Sequence, residues 1–166
     1  MSKLEKFIVK FLQIGVVAVF FVPLIYSSAT IFPFIFPKSL AFRLIIELLL
    51  APYLYLVLTN PAYRPKRSNI LMAILAFLGI EVLATVFGAD PLRSFWGNHE
   101  RMMGLYAYSH VVLFFLIATS VYRTKEEWRG LIFYALLAGA IVTGLGYVQY
   151  FSKSFLHEVK GGRIFS

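Results

Sequence analysis

The sequence predicts an all-α fold, a polytopic membrane helix bundle with about five transmembrane helices and one short interfacial helix. Its 166 residues are 60% hydrophobic and only 14% charged, whereas about 25% of the residues in a soluble domain are charged. The apolar residues lie in unbroken runs of about twenty, the length at which an α-helix crosses a bilayer. A membrane β-barrel would instead show alternating segments of about ten residues, so the runs favour helices.

Five apolar runs define the predicted helices in order. Lys3 and Lys6 stand at the start of the first run, which is longer than the core of about 7 to 15 residues in a cleaved signal peptide, so a retained helix is predicted. Proline, asparagine and glycine separate the later runs and break helices. The predicted helices, all within one transmembrane domain over residues 1–166, are 7–28, 40–59, 70–87, 105–122 and 131–151.

The distribution of basic residues predicts how the bundle is oriented. The net charge of +8 is typical of basic cytoplasmic loops, so no nucleic-acid partner is expected. Nine Lys and Arg residues fall on the predicted inner side and six on the outer side, with one more inside a helix. We therefore expect a cytoplasmic N-terminus, extracytoplasmic residues 88–104 and 152–166, and residence in the inner (cytoplasmic) membrane with the lipid bilayer as partner.

The first outer segment carries signals for an interfacial helix. Gly88 can end the third helix, and Asp90 followed by Pro91 is typical of a helix cap and first turn. Phe95 and Trp96 are then expected at headgroup depth, where aromatic residues anchor many membrane proteins. The sequence therefore predicts a short helix along the membrane surface.

The charged residues of the outer segments predict an anion site. Arg93, Glu100 and Arg101 lie on the side where basic residues are usually scarce, and Arg163 joins them from the tail. Guanidinium groups bind phosphate through paired hydrogen bonds, so these positions would suit an anionic group such as a lipid phosphate. Ordinary solvated or snorkelling charges are the alternative interpretation.

Arg43, Glu47 and Glu81 are ionisable residues inside predicted spans, where an unpaired charge costs several kcal/mol. Arg43 and Glu47 are four residues apart on one helix, so they can neutralise each other on one face. Glu81 has no basic neighbour in its own helix, and Arg101 is the expected partner, with a protonated Glu81 or a partner outside this chain as alternatives. Gln13 is expected to form an interhelical hydrogen bond.

The fifth predicted helix carries a row of small residues. Ala135, Gly139 and Thr143 are spaced by four, with Ala140 and Gly144 on the adjoining row. Small residues at this spacing let helix backbones approach closely, so this helix is predicted to pack tightly against neighbours.

The histidines carry little chemical signal. His99, His110 and His157 have no carboxylate or second histidine at ligand spacing, and no phosphate loop or nucleophile motif is present. The residues therefore predict no metal site and no cofactor, and they leave the catalytic residues unknown.

The stretch "FGADPLRSFWGNHERMMGL", residues 87–105, resembles a signature of the O-antigen ligase and polymerase superfamily. That signature is an Asp-Pro turn, then Ser-Phe-Trp-Gly, then Glu-Arg and a Gly-Leu that opens the next helix. The matching residues are Asp90, Pro91, Ser94, Phe95, Trp96, Gly97, Glu100, Arg101, Gly104 and Leu105. The tail "GGRIFS" resembles the start of a second family segment. The resemblance implies the N-terminal part of a longer protein with further helices and a later catalytic outer loop.

The resemblance also implies an activity. Members of this family are metal-independent glycosyltransferases that move a glycan from a polyprenyl-diphosphate carrier to a glycan, lipid or protein acceptor. It implies that Arg101 and Arg163 contact the diphosphate or support the site, that Glu100 orients Arg101, and that Trp96 sets depth in the interface. Because the family's catalytic residues lie later in the chain, this region alone is expected to be inactive.

Two other classes of function stay open from the residues themselves. A transporter or channel subunit would use Arg43, Glu47 and Glu81 to line a polar pathway, and it predicts that these side chains converge on one water-accessible face. A non-catalytic membrane scaffold would bind partner proteins through its small-residue helix faces.

Overall fold

The computed structural model describes residues 2–30, 32–98 and 101–151, and every regular element in these ranges is a helix. The predicted all-α class is confirmed. Single turns of 3-10 helix occupy Val22–Leu24 and Pro61–Tyr63. The α-helices are α1 Lys3–Phe21, α2 Phe36–Thr59, α3 Asn69–Phe87, α4 Pro91–Trp96, α5 Leu105–Val121 and α6 Lys125–Phe151.

Four segments of the described chain have the length and apolar composition needed to cross a membrane. They are Lys3–Leu24, Phe36–Thr59, Asn69–Phe87 and Lys125–Val148. The fourth predicted span, 105–122, is the apolar helix α5, which has 17 residues; this is about 25 Å of helix, at the lower limit for a hydrocarbon core of about 30 Å. The chain is therefore a helical membrane bundle, in which α5 is shorter than each of the four segments above.

The first helix begins and ends earlier than predicted because of its caps. The Ser2 hydroxyl accepts a hydrogen bond from the Glu5 N–H at 3.1 Å, and the Glu5 carboxylate accepts one from the Ser2 N–H at 2.7 Å. This capping box starts the helix at Lys3 rather than residue 7. Pro23 lies in the 3-10 turn after Phe21, and proline removes a backbone donor, so the helix ends well before residue 28.

Two other helix starts also lie upstream of their predicted positions. Pro37 occupies the first turn of α2, where proline is favoured because its N–H would have no partner, and α2 starts at residue 36 rather than 40. Before α6, the Thr124 hydroxyl accepts from the Glu127 N–H at 3.2 Å, and the Glu127 carboxylate accepts from the Thr124 N–H at 2.9 Å. This second capping box starts α6 at Lys125 rather than residue 131.

The hydrophobic core lies where α1, α2 and α5 meet. α1 packs against α2, α5 and α6, whereas α5 also contacts α2, α3 and α4. At Gly15 of α1 an added Cβ would lie 2.7 Å from the Leu49 Cδ1 atom, so the missing side chain permits the close approach of α2. The most deeply buried side chains are Leu12, Val16, Ile46, Leu49, Leu56, Ile117 and Val121.

Interhelical contacts establish the relative directions of the helices. α2 and α5 run parallel, since Arg43 contacts Met102 near their starts and the Tyr53 hydroxyl lies 3.2 Å from the Ser120 hydroxyl further along. α1 runs antiparallel to both. The chain start and loop 60–68 therefore share one end of the bundle, the N-terminal end, and residues 22–30 and 88–98 share the opposite end, the α4 end. This alternation is what the predicted topology requires; the cytoplasmic assignment stays a prediction.

At the N-terminal end, Gln13 ties three helices together. Its side-chain amide donates to the Val121 backbone carbonyl at 3.3 Å and to Glu127 Oε1 at 3.0 Å, while the backbone carbonyl of Gln13 accepts from the Tyr122 hydroxyl at 2.9 Å. Burial, with the nearby Glu127 carboxylate, raises the pKa of Tyr122 to about 12, so this hydroxyl stays a neutral donor. The predicted interhelical role of Gln13 is confirmed.

The small-residue row of α6 does not pack as predicted. Among the described residues, nothing lies within 4 Å of a Cβ built on Gly139 or Gly144. Leu131 and Ala138 are buried instead, and Leu131 belongs to the core cluster with α1 residues. The helix therefore meets α1 through the face of Leu131 and Ala138, which leaves Gly139, Thr143, Ala140 and Gly144 exposed.

Candidate functional site

The predicted interfacial helix is present as α4, and two glycines shape its connection to α5. Asp90 caps it by accepting the Arg93 N–H at 3.0 Å, as the sequence predicts. Gly97 ends it with φ of +81°, and a Cβ there would lie 2.6 Å from the Met103 N atom. A Cβ on Gly104 would lie 2.6 Å from the Ser94 carbonyl oxygen. Because both glycines lack a side chain, the end of α4 can lie in contact with the turn that precedes α5.

Aromatic rings join α4 to the start of α5. The Trp96 ring centroid lies 5.1 Å from that of Phe95 and 5.2 Å from that of Tyr106. Phe95 also lies 5.9 Å from Tyr106. Trp96 keeps 49% of its surface exposed, so one side of its ring packs and the other stays open to the surroundings.

Arg43 is the most buried charged side chain of α2, with 8% exposure. Its guanidinium donates to the Met102 carbonyl and lies 5.1 Å from the centroid of the Tyr106 ring. Met102 has φ of +51°, which is uncommon for a residue other than glycine and marks a constrained turn. Arg43 is therefore held by the turn that begins α5.

Glu47 binds two side chains of α5. Its Oε1 accepts the Tyr106 hydroxyl at 2.6 Å and lies 3.2 Å from His110 Nε2. The other ring nitrogen of His110, Nδ1, lies 2.7 Å from the Tyr106 carbonyl oxygen. The side chain of His110 is only 6% exposed, whereas that of Glu47 is 47% exposed. Carboxylate, phenol and imidazole thus form one connected cluster.

Arg43 and Glu47, predicted to neutralise each other on one face of their helix, do not form a direct ion pair. No nitrogen of Arg43 lies within 4.0 Å of the Glu47 carboxylate, and the ion-pair contact in the described chain joins Glu47 to His110. Because α2 and α5 are parallel, a row of α2 side chains spaced by four faces a matching row on α5. Each of the two charges therefore finds its own partner on α5.

A groove of about 400 Å³ lies between α2 and α5 beside this cluster. Two guanidinium-bearing residues, Arg43 and Arg101, line it together with Ser39. The rest of the lining is apolar and consists of Ile35, Phe42, Met103, Ala107 and Val111. The groove can hold an anionic group beside the arginines and an apolar chain along its walls.

The other predicted site residues lie elsewhere or outside the described ranges. Arg93 and Trp96 line a separate cavity of about 620 Å³, and Asp90 and Met102 line it too. Met102 thus lies between this cavity and Arg43. Glu100 and Arg163, predicted to orient Arg101 and to contact the diphosphate, lie outside the described residues.

The predicted pairing of Glu81 with Arg101 is also wrong. Within the described ranges, the half-buried Glu81 side chain has neither an ion pair nor a hydrogen bond. Arg101 instead lines the groove between α2 and α5, while Glu81 lies on α3, which packs against a different part of α5 through Phe77 and Tyr108. The two residues therefore serve different helix interfaces.

Sequence reasoning missed the participation of Tyr106 and His110. Their signal was the four-residue spacing on α5, which equals that of Arg43 and Glu47 on α2. The equal spacing brings the four residues into register only because α2 and α5 are parallel and in contact. The groove and its polar cluster are thus defined by geometry alone, since no protein-family model, curated protein or solved structure matches the chain.

Proposed function

We propose that this chain is the N-terminal membrane region of an O-antigen ligase-like glycosyltransferase, and that the α2–α5 groove holds the diphosphate of a polyprenyl-linked glycan. The observation that carries the proposal is the presence of Arg43 and Arg101 on one otherwise apolar groove. A polyprenyl diphosphate has the same two parts, an anionic head and an apolar chain. The likeness of residues 87–105 to the family signature supports the same assignment.

The proposed chemistry is electrostatic. When a glycan leaves its carrier, negative charge develops on the diphosphate, and fixed positive groups stabilise that charge most strongly where water is excluded. Arg43 is fixed by Met102 and Tyr106, whereas Arg101 is exposed and free to adjust to the ligand. Activation of the acceptor, a glycan, lipid or protein, would come from the later outer loop that the resemblance implies.

The test is ligand binding by the full chain in lipid nanodiscs. A hydrogen bond to a charged group contributes about 1.5 to 3 kcal/mol, so Arg101→Gln is expected to weaken polyprenyl diphosphate binding by about 10- to 100-fold. Arg67→Gln removes the same charge from loop 60–68 and is the matched control, with no expected change. Equal binding by wild type and Arg101→Gln, or equal binding of polyprenol and polyprenyl diphosphate, would contradict the proposal.

A second candidate is a transporter or channel subunit. It is favoured by the half-exposed carboxylate of Glu47, the twelfth of the 24 residues of α2, because a carboxylate at such depth needs water or a partner. Against it, Glu81 makes no contact with the Glu47 cluster. Substrate or ion flux through proteoliposomes that is abolished by Glu47→Gln would favour this candidate over the transferase.

A further inference from the structure

The hydrogen bonds of His110 determine where one of its protons lies. Nδ1 is 2.7 Å from the Tyr106 carbonyl oxygen, and a carbonyl oxygen has no proton to donate. A bare Nδ1 at this distance would place two lone pairs against each other. The contact therefore requires an N–H on Nδ1.

The contact between His110 and Glu47 then requires a second proton. A neutral imidazole protonated on Nδ1 has a lone pair on Nε2, and Nε2 lies 3.2 Å from Glu47 Oε1. That oxygen already accepts the Tyr106 hydroxyl. The contact is attractive only as an imidazolium with a carboxylate, or as a neutral imidazole with a carboxylic acid. In both forms the pair binds one more proton than a neutral histidine and a carboxylate.

We propose that Glu47 and His110 form a proton-binding site inside the membrane, and that its one shared proton holds Arg43 at the groove through Tyr106. The His110 side chain is 6% exposed, and α2 places Glu47 at its midpoint. With the shared proton the pair has no net charge, which removes the cost of a lone carboxylate at this depth. The ligand of this site is the proton itself.

Tyr106 connects the pair to Arg43. Its hydroxyl donates to Glu47, its carbonyl accepts from His110, and its ring lies 5.1 Å from the Arg43 guanidinium. Loss of the shared proton sets the Nε2 lone pair opposite a carboxylate, so Glu47 moves away from His110, and the Tyr106 hydroxyl, which stays bonded to the carboxylate, moves with it. Arg43 then loses the ring beneath its guanidinium.

The charged and titratable groups around the pair are few. Arg43 comes from α2 and Tyr106 from α5, while α4 contributes the uncharged rings of Phe95 and Trp96 to Tyr106. Within the described ranges, α1 and α3 bring no ionisable side chain into a hydrogen bond or ion pair with Glu47 or His110. Arg43 is therefore the main charged group near the Glu47–His110 pair, and it is the group that gain or loss of the pair's proton affects most.

The proton site can be tested without any lipid ligand. The chain has three histidines, so 15N-histidine NMR of the full chain in nanodiscs, compared with His110→Gln, identifies the His110 signal. At neutral pH we expect either both ring nitrogens protonated, or an Nδ1–H tautomer together with an infrared band of a protonated carboxyl that Glu47→Gln removes. A neutral His110 of either tautomer together with an ionised Glu47 would overturn the proposal.

A matched control separates this pair from general loosening of the α2–α5 contact. Tyr53→Phe removes another buried α2–α5 hydrogen bond, the one to Ser120 at 3.2 Å, but touches no group that exchanges a proton near neutral pH. It is expected to leave the His110 signal unchanged. A change as large as that in Glu47→Gln would show that helix packing, rather than the shared proton, sets the state of His110.

The coupling to Arg43 rests on the proposed diphosphate groove and needs its own measurement. Between about pH 5 and 9, polyprenyl diphosphate affinity is expected to fall about tenfold over the interval in which the His110 signal shows proton loss, and to stay level where the proton is retained. The ligand gains negative charge as pH rises, so its own titration acts in the opposite direction. Glu47→Gln is expected to remove the fall, and Tyr53→Phe to retain it.

The two failures are distinguishable. If no diphosphate binds at any pH but the NMR result holds, the proposed function fails and the proton site stands. If diphosphate binds with an affinity that does not follow the His110 proton, the coupling to Arg43 is overturned. If binding follows Arg101 but His110 is a neutral Nε2–H tautomer, the groove stands and the shared proton does not.

Discussion

The bundle holds one glutamate at its N-terminal end and another at the midpoint of α2, and the two glutamates have different kinds of partner. Glu127, at the N-terminal end, accepts from the backbone N–H groups of Arg123 and Thr124 and from the Gln13 amide. Its partners are fixed donors that keep their protons. Glu47, towards the α4 end, meets a phenol and an imidazole instead, both able to exchange protons. The contrast indicates a structural contact at the N-terminal end and a chemical site between α2 and α5.

The surroundings of the two glutamates support the same distinction. Glu127 belongs to a capping box and closes a loop between α5 and α6. Glu47 lies next to Arg43, which lines an open groove. Removing Glu127 should therefore affect stability alone, whereas changes around Glu47 should affect binding and protonation.

The largest expected effect is that of Gly97→Ala on the α4 end. Gly97 has φ of +81° and ψ of −170°, a region open essentially to glycine alone, and the added Cβ would meet the Met103 and Gly104 N atoms at 2.6 and 2.8 Å. Strain and overlap together should cost about 3 kcal/mol. Thermal unfolding in detergent measures the loss.

A fluorescence measurement and a control variant make this prediction more specific. Trp128 is the second of two tryptophans, so Trp128→Phe leaves Trp96 as the only indole emission, and Gly97→Ala should shift that emission to longer wavelength as α4 separates from Tyr106. Gly139→Ala is the control, because nothing lies within 4 Å of its added Cβ and alanine favours helix. An equal loss of stability in both variants would contradict the close approach at Gly97.

A smaller effect is expected from Glu127→Ala at the opposite end. The substitution removes the acceptor of two backbone N–H groups and the partner of Gln13, so unfolding should become easier by about 2 kcal/mol. Polyprenyl diphosphate binding should not change. Glu126→Ala is the control, since it removes the same charge from the neighbouring exposed position. A loss of binding in Glu127→Ala at temperatures where it is folded would contradict the division between the two ends.

The fold was predictable where local rules decide it, and less so at the helix ends. Asp90 and Pro91 correctly predicted the start of α4. The capping boxes of Ser2 with Glu5, and of Thr124 with Glu127, have the spacing that marks helix starts, so both boundary errors were avoidable. The predicted end of α1 at residue 28 gave too little weight to Pro23, and the predicted start of α2 at residue 40 gave too little weight to Pro37.

The site was less predictable, because its pairings depend on which helices are neighbours. Arg43 and Glu47 fit a pair within one helix, and nothing in their spacing reveals that α5 offers Tyr106 and His110 in register. The sequence predicts that Arg101 contacts a diphosphate or supports the site, but its groove partner Arg43 comes from a segment 58 residues earlier in the chain. Side chains brought together by tertiary contacts cannot be paired by local spacing.

The smallest expected effect is that of Tyr106→Phe, which separates the two roles of this ring. The variant loses the 2.6 Å hydrogen bond to Glu47 but keeps the aromatic face beneath Arg43, and Glu47 is half-exposed, so the stability loss should be about 1 kcal/mol. Diphosphate affinity at low pH should change by less than about threefold, because His110 still binds Glu47 and Arg43 keeps its ring. Tyr106→Leu removes the ring as well and should weaken binding further. Tyr108→Phe, two positions along α5 and facing Phe77, controls for the loss of a phenol. If Tyr106→Phe and Tyr106→Leu bind the diphosphate equally weakly, the hydroxyl rather than the ring holds Arg43. The shared proton would then act on the groove without the aromatic ring of Tyr106.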